Sequence, residues 1–257
     1  MTPVQEPAPL PAEATVVSLS EAAALRRAGA TLVDARPLHK RLGRGVPGAL
    51  QIGWRSTSRG WARDSALPDD RAALRAWMVA HGVAWDRPVL TLDNGDGGWG
   101  EGARVAWTLA QLGHPAAHWL AARVSLLPKA TEGALPSPAQ PIENTRPQTI
   151  VDVRSAAEFA GSTPYGEARG GHLPGALSLP FDQLWTPQGT AISAPALRAL
   201  TAQIGIPHDR PLQCLCTGGV RSAAATLLLR HAGLNAVNDA GGMWARAADP
   251  GCALETS

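Results

Sequence analysis

Cys216 is followed by Thr217, Gly218, Gly219, Val220, Arg221 and Ser222, and residue types in that order suit nucleophilic chemistry. The preceding "LQCL", Leu212 to Leu215, reads as an apolar strand, and "SAAATLLLRHAGL" from Ser222 onward has a helical pattern. Gly218 and Gly219 allow successive backbone N–H groups to turn inward as an anion nest. A helix beginning near Ser222 adds free N–H groups and its positive dipole end. Arg221 adds a fixed charge and a planar fork for an oxyanion. Thiols in such fields titrate between roughly 3.5 and 7.5 instead of near 8.5, so they supply thiolate at neutral pH. The common role of a lone cysteine is that of a small buried hydrophobe. Cys214, inside the strand, fits it, and Cys252 near the end of the sequence has no comparable surroundings. The glycines, the arginine and the helix set Cys216 apart as a nucleophile.

Two other chemistries compete for a Cys-x-Cys stretch. Zinc would need two further ligands, and the seven histidines show no paired spacing near a second cysteine. A vicinal redox role stays open. Cysteine phosphatases use a similar nest but place arginine six positions after the cysteine. Here Arg221 falls five positions after Cys216, and Leu215 stands where those enzymes have histidine. The shorter loop suits a smaller electrophile, sulfur over phosphate.

The elements that position this loop occur twice. "TLVDARPLHKRLGRGVPGALQI", Thr31 to Ile52, returns as "TIVDVRSAAEFAGSTPYGEARGGHLPGALSL", Thr149 to Leu179. "RPVLTLDNGDGGWGEGARVAWTLAQLGH", Arg87 to His114, returns as "RPLQCLCTGGVRSAAATLLLRHAGL", Arg210 to Leu234. Gly113 and Gly233 suit helix C-caps. A repeat offset of roughly 120 residues fits two domains of ordinary size. The expected divisions are a disordered, Pro-rich lead-in over 1–14, a first domain over 15–125, a Pro/Ser-rich linker over 126–147 and a second domain over 148–257. Strands alternating with helical patterns predict an α/β fold, each domain a mostly parallel sheet with helices on both faces. In such sheets, sites form at the carboxyl ends of strands, where Cys216 lies.

The whole chain narrows the function further. Its 257 residues are 45% hydrophobic and 17% charged, with a formal net charge of +2. That balance gives no basic patch for nucleic acid and no case for a membrane surface. No window approaches 18 apolar residues, and "MTPVQEPAPLPAEA" lacks the features of a signal peptide. Three cysteines are too few for a disulfide framework, so a reducing, cytoplasmic setting is expected.

With these features the chain resembles the tandem-domain rhodanese sulfurtransferases over roughly residues 15–250. The resemblance rests on "VDVR" (Val151 to Arg154), "GHLPGAL" (Gly171 to Leu177), the loop from Cys216 to Arg221 and "DAGGMW" (Asp239 to Trp244). The first copy is degenerate, with Asp93 at the position of Cys216 and Gly45 at that of His172, as in members whose first half is inactive. The resemblance implies two rhodanese-like domains and a ping-pong reaction. Cys216 takes the outer sulfur of thiosulfate as a persulfide and passes it to cyanide, a thiol or a thioredoxin-like protein. It implies that the amides of Thr217, Gly218, Gly219, Val220, Arg221 and Ser222 hold the persulfide and that Arg221 draws in the small anionic donor. No metal or organic cofactor is implied.

Donor choice is divided. Thiosulfate-using tandem members often carry two basic residues after the cysteine, whereas this loop has Thr217 and Gly218. Mercaptopyruvate-using members grip the substrate carboxylate with arginines of the second domain. Arg169 is the candidate for one, while Glu158 stands at the position of the other. The Cys-x-x-Gly-x-Arg form is nearer single-domain bacterial members, and thiosulfate is the expected donor. The alternatives are 3-mercaptopyruvate, or a persulfide carrier or sensor with poor turnover of small donors. Asp34 with Arg36 and Asp152 with Arg154 are expected to form structural pairs, His172 to shape the turn before Pro174, and Trp99 and Trp244 to reach the pocket mouth.

Overall fold

The computed structural model describes residues 13–60, 64–95, 98–137 and 149–256. The lead-in over 1–12 and the linker segment 138–148 lie outside the described residues. Strands β1 (Thr15–Val17), β2 (Thr31–Asp34), β3 (Val89–Asp93) and β4 (Ala117–Arg123) form one parallel sheet in the order β1-β4-β3-β2. Strands β5 (Thr149–Asp152), β6 (Leu177–Ser178), β7 (Leu212–Leu215) and β8 (Ala236–Asn238) form a second, in the order β6-β5-β7-β8. Parallel strands need covered crossovers, so they are buried on both faces and read as apolar runs. All five residues of β3 are buried.

The helices flank these sheets as the repeat requires. The first sheet carries α1 (Leu19–Arg27), α2 (Leu38–Arg41), α3 (Arg71–Ala80) and α4 (Glu101–Gln111). The second carries α5 (Ala156–Phe159), α6 (Ala194–Gln203), α7 (Arg221–His231) and α8 (Gly242–Ala248). β2, β3, α4 and β4 correspond to β5, β7, α7 and β8. An isolated bridge from Leu50 to Val33 stands where β6 pairs with β5. Gly113 and Gly233 follow the C-caps of α4 and α7 in the left-handed conformation, as their spacing predicts.

The two Asp-x-Arg stretches close the ends of β2 and β5. Asp34–Arg36 and Asp152–Arg154 are buried ion pairs, each 2.7 Å at the closest contact. Each arginine also donates to a turn carbonyl, Arg36 to Arg44 and Arg154 to Gly171. They brace the backbone and keep away from the cavity. His172 serves its turn as expected, stacked on Phe159 with its Nδ1 3.0 Å from the Phe159 carbonyl.

The two halves share one continuous apolar core. α4 packs against α7, so closely that a Cβ on Gly100 would lie 2.5 Å from the Ala224 Cβ. Trp119 of the first half meets Trp185 of the second edge to face, with centroids 6.1 Å apart. Glu13 and Ala14, at the end of the expected lead-in, join this assembly. Ala14 is buried in the shared core and Glu13 forms an ion pair with Arg230.

Candidate active site

β7 ends at Leu215 and delivers Cys216 to the join between the two halves, where it is 1% exposed. The loop then passes through Gly219 at φ +72°, and α7 starts at Arg221. A Cβ at Gly219 would lie 2.5 Å from the Ala240 carbonyl and 2.6 Å from Arg104 Nη1, so both conformation and space demand glycine. Among the described residues, the backbone N–H groups of Thr217 through Ser222 donate to no other protein group. Six unpaired donors on the loop and helix start that directly follow the sulfur-bearing residue are the makings of an anion nest.

α8 supports the loop from behind. Met243 N donates to the Cys216 carbonyl at 2.9 Å and Trp244 N to the Thr217 carbonyl at 3.0 Å. Gly242 makes that approach possible, because its Cβ would lie 2.4 Å from the Cys216 carbonyl oxygen. Asp239 Oδ1 accepts from the amides of Gly241 and Gly242, and its other oxygen takes Arg246 and Gln213. The "DAGGMW" stretch is thus scaffold for the loop carbonyls. Ser222 Oγ lies 3.4 Å from the Cys216 sulfur and 2.7 Å from Asn238 Oδ1, and Asn238 Nδ2 donates to the Gly219 carbonyl. Burial pushes the Cys214 thiol up to about 12, which leaves it inert, as its place inside the strand implies.

Arg221 has a more constrained place than its sequence position suggests. Its two terminal nitrogens donate to both oxygens of Glu158, at 2.6 and 2.8 Å, and one also donates to Thr217 Oγ1. Glu158 is itself the third helical residue of α5 and completes a capping box with Ser155. Burial pushes this carboxylate up, but the hydrogen bonds and charge of Arg221 and the bonds from Ser155 bring it down to about 2. The Arg221 charge, opposed by burial, is reinforced by Glu158 and by the Cys216 sulfur. Glu167, also buried, lies 3.2 Å from Thr217 Oγ1.

A cavity of about 50 Å³ opens at Cys216. Its mouth is walled by Trp54, Arg55, Trp99, Tyr165 and Trp244, with Thr217, Gly218, Val220 and Arg221 beside the sulfur. Trp99 and Trp244 are therefore at the mouth, as the sequence predicts. Trp54, Arg55 and Trp99 come from the first half, so the pocket belongs to both. Arg169 does not reach it. It donates to the carbonyls of Arg246, Ala247 and Asp249 and caps the carboxyl end of α8. That is a use of basic side chains at helix C-termini that sequence spacing alone did not reveal.

The equivalent position in the first half is closed by its own acids. Asp93 Oδ1 accepts from Gly95 N at 2.8 Å, and Oδ2 accepts from Gly102 N and from Trp119 Nε1. Glu101 accepts from Trp99 N. Burial and the neighbouring Glu101 push Asp93 up to about 7 against the pull of those three donors. A carboxylate fills the first nest where a thiol faces the second.

Residues 138–246 match the model of the rhodanese-like domain. This part of the chain carries a rhodanese-like domain. It is 35% identical over 89 residues to the "Sulfur carrier protein TtuD" of Thermus thermophilus, a match covering 32% of this chain and 31% of that protein. It is 26% identical over 234 residues to the "Thiosulfate sulfurtransferase" of Corynebacterium glutamicum, covering 78% of this chain and 75% of that one. The first of these matches spans about a third of its relative's length. The solved "3-mercaptopyruvate sulfurtransferase from Leishmania major" superposes with a TM-score of 0.68 at 22% identity, covering 90% of this chain and 73% of that chain. The rhodanese fold thus extends across both sheets.

Proposed function

We propose that this rhodanese-like protein is a sulfurtransferase that moves a sulfane sulfur from thiosulfate to a thiophilic acceptor through a persulfide on Cys216. The observation that carries this reading is the buried Cys216 followed at once by residues 217–222, whose amides have no partner among the described residues. The Cys216 thiolate attacks the outer sulfur of thiosulfate; a sulfur–sulfur bond forms as the donor's bond breaks, and sulfite leaves with the electron pair. The terminal sulfur carries the negative charge and lies in the nest. A nucleophilic acceptor, cyanide in the assay or a cellular thiol or thioredoxin-like protein, takes that sulfur and returns the thiolate. On this reading residues 15–125 are a half without a nucleophile, 126–147 a linker and 148–257 the catalytic half, working in the cytoplasm.

Thiocyanate formation tests it, with thiosulfate and 3-mercaptopyruvate compared side by side. A higher kcat/KM with thiosulfate supports the reading, and a higher value with mercaptopyruvate replaces the donor. Full activity in Cys216→Ser overturns the mechanism. A second reading, a persulfide carrier with slow turnover of small donors, is favoured by the depth of Cys216 beneath an aromatic rim and by the likeness to a protein named as a sulfur carrier. It predicts that Cys216 gains one sulfur atom from thiosulfate while catalytic thiocyanate formation stays negligible.

A further inference from the structure

Arg104 lies on α4, in the half without the cysteine, yet its guanidinium is wholly buried at the floor of the Cys216 loop. Nη1 donates to the Gly219 carbonyl at 3.1 Å and Nη2 to the Ser65 carbonyl. The plane also lies over Trp107, 4.7 Å from the ring centroid. Nε has no partner among the described residues, and no carboxylate pairs with the group. Burying a charge without a counter-ion is costly, and such violations concentrate where function needs them. The group that can set a negative charge against Arg104 is the Cys216 sulfur, while Arg71 opposes it with like charge.

The other ionisable groups around Cys216 are already engaged, Arg55 from the first half being stacked over Trp54 where it lines the cavity. Arg221 on α7 is held by Glu158 on α5, with Glu167 and Tyr165 from the following segment beside it. Cys214 in β7 is a buried neutral thiol. Arg221 therefore brings a compensated charge, and Arg104 an uncompensated one. We propose that Arg104 is a positioning residue which fixes Gly219 in the loop and supplies the unbalanced positive charge that favours the anionic sulfur on Cys216. The half without a nucleophile is, on this view, part of the electrostatic site of the other half. The inference rests on the sulfurtransferase reading for its purpose and not for its physics.

The test is the rate of iodoacetamide alkylation at Cys216, followed by peptide mass across pH in the full chain. Arg104→Lys keeps the charge, Arg104→Gln keeps a donor for the Gly219 carbonyl without charge, and Arg104→Met keeps neither. Thermal melts identify which variants are folded. Loss of an uncompensated opposite charge near a thiol is worth about one pKa unit, about tenfold in thiolate at neutral pH. Arg104→Gln and Arg104→Met are expected to alkylate about tenfold more slowly at neutral pH, with the profile displaced to higher pH. Arg104→Lys is expected to stay near the wild-type profile. A folded Arg104→Gln whose profile superimposes on the wild type overturns the proposal. So does Arg104→Lys displaced as far as Arg104→Gln, since that marks a packing role alone. If wild-type Cys216 accepts no sulfur from thiosulfate, the sulfurtransferase reading fails while the alkylation result on Arg104 still stands.

Discussion

Glu158 holds Arg221 through both carboxylate oxygens, at 2.6 and 2.8 Å, so the cation nearest the start of α7 arrives at the site already paired. Glu158 is buried and the Arg221 side chain is 11% exposed, and the same carboxylate caps α5. Glu158 thereby ties a helix of the β5 crossover to the loop that carries the nucleophile.

That pairing has a pH signature. Glu158 sits near 2 in the folded protein against an ordinary value of 4.5. A carboxylate depressed on folding contributes stability that is complete above its unfolded value and is lost as pH falls through the folded one. Chemical denaturation is therefore expected to show stability falling between about pH 4.5 and about pH 2, with a shallower fall in Glu158→Gln. Equal slopes in the two proteins would contradict the pairing.

Removing the charge should also release Arg221 toward the donor. Glu158→Gln is expected to lower the KM for thiosulfate a few-fold while costing roughly 3 kcal/mol of stability, the scale of breaking a buried ion pair. Steady-state kinetics beside urea melts separate the two effects. An unchanged or higher KM would mean that Arg221 serves only as structure.

Gly242 sets the loop carbonyls. Its φ of +56° alone disfavours a side chain by about 1–3 kcal/mol, and a Cβ there would press on the Cys216 carbonyl at 2.4 Å. Gly242→Ala is expected to lower kcat by about a hundredfold, with a smaller change in KM, because the sulfur shifts relative to the nest. Full kcat in a folded variant would contradict that role.

Much of this site is visible in the sequence because it is local. A strand, a glycine turn and a helix follow one another from Leu212 to His231, so Cys216 and the nest could be placed from spacing. The same holds for Asp152–Arg154, two residues apart. What was not visible depends on distant segments meeting. Glu158 and Arg221 are 63 residues apart, and Arg104 and Gly219 are 115 apart. The clue to Arg104 was a charge within "EGARVAW", on a helix whose residues 101–110 are all buried. Arg169 shows the converse. Its nearness in sequence to "GHLPG" suggested the pocket, whereas the α8 carbonyls it caps lie about 80 positions on.

The first half should resist restoration of its nucleophile. From Asp93 to Glu101 is eight positions, against five from Cys216 to Arg221, and Glu101 already takes the Trp99 amide. Asp93→Cys is expected to gain no sulfur from thiosulfate by peptide mass. It also strips three buried donors of their acceptor, at roughly 1–3 kcal/mol for each group left unpaired. A persulfide at that cysteine would show that loop length does not discriminate.

The most direct measurement is peptide mass of the full chain after thiosulfate treatment without acceptor, followed by addition of cyanide. One extra sulfur atom is expected on the peptide carrying Cys216, with none on Cys214 or Cys252, and cyanide should remove it as an equal amount of thiocyanate. Sulfur found elsewhere, or thiocyanate formed undiminished by Cys216→Ser, would contradict Cys216 as the sulfur-bearing nucleophile.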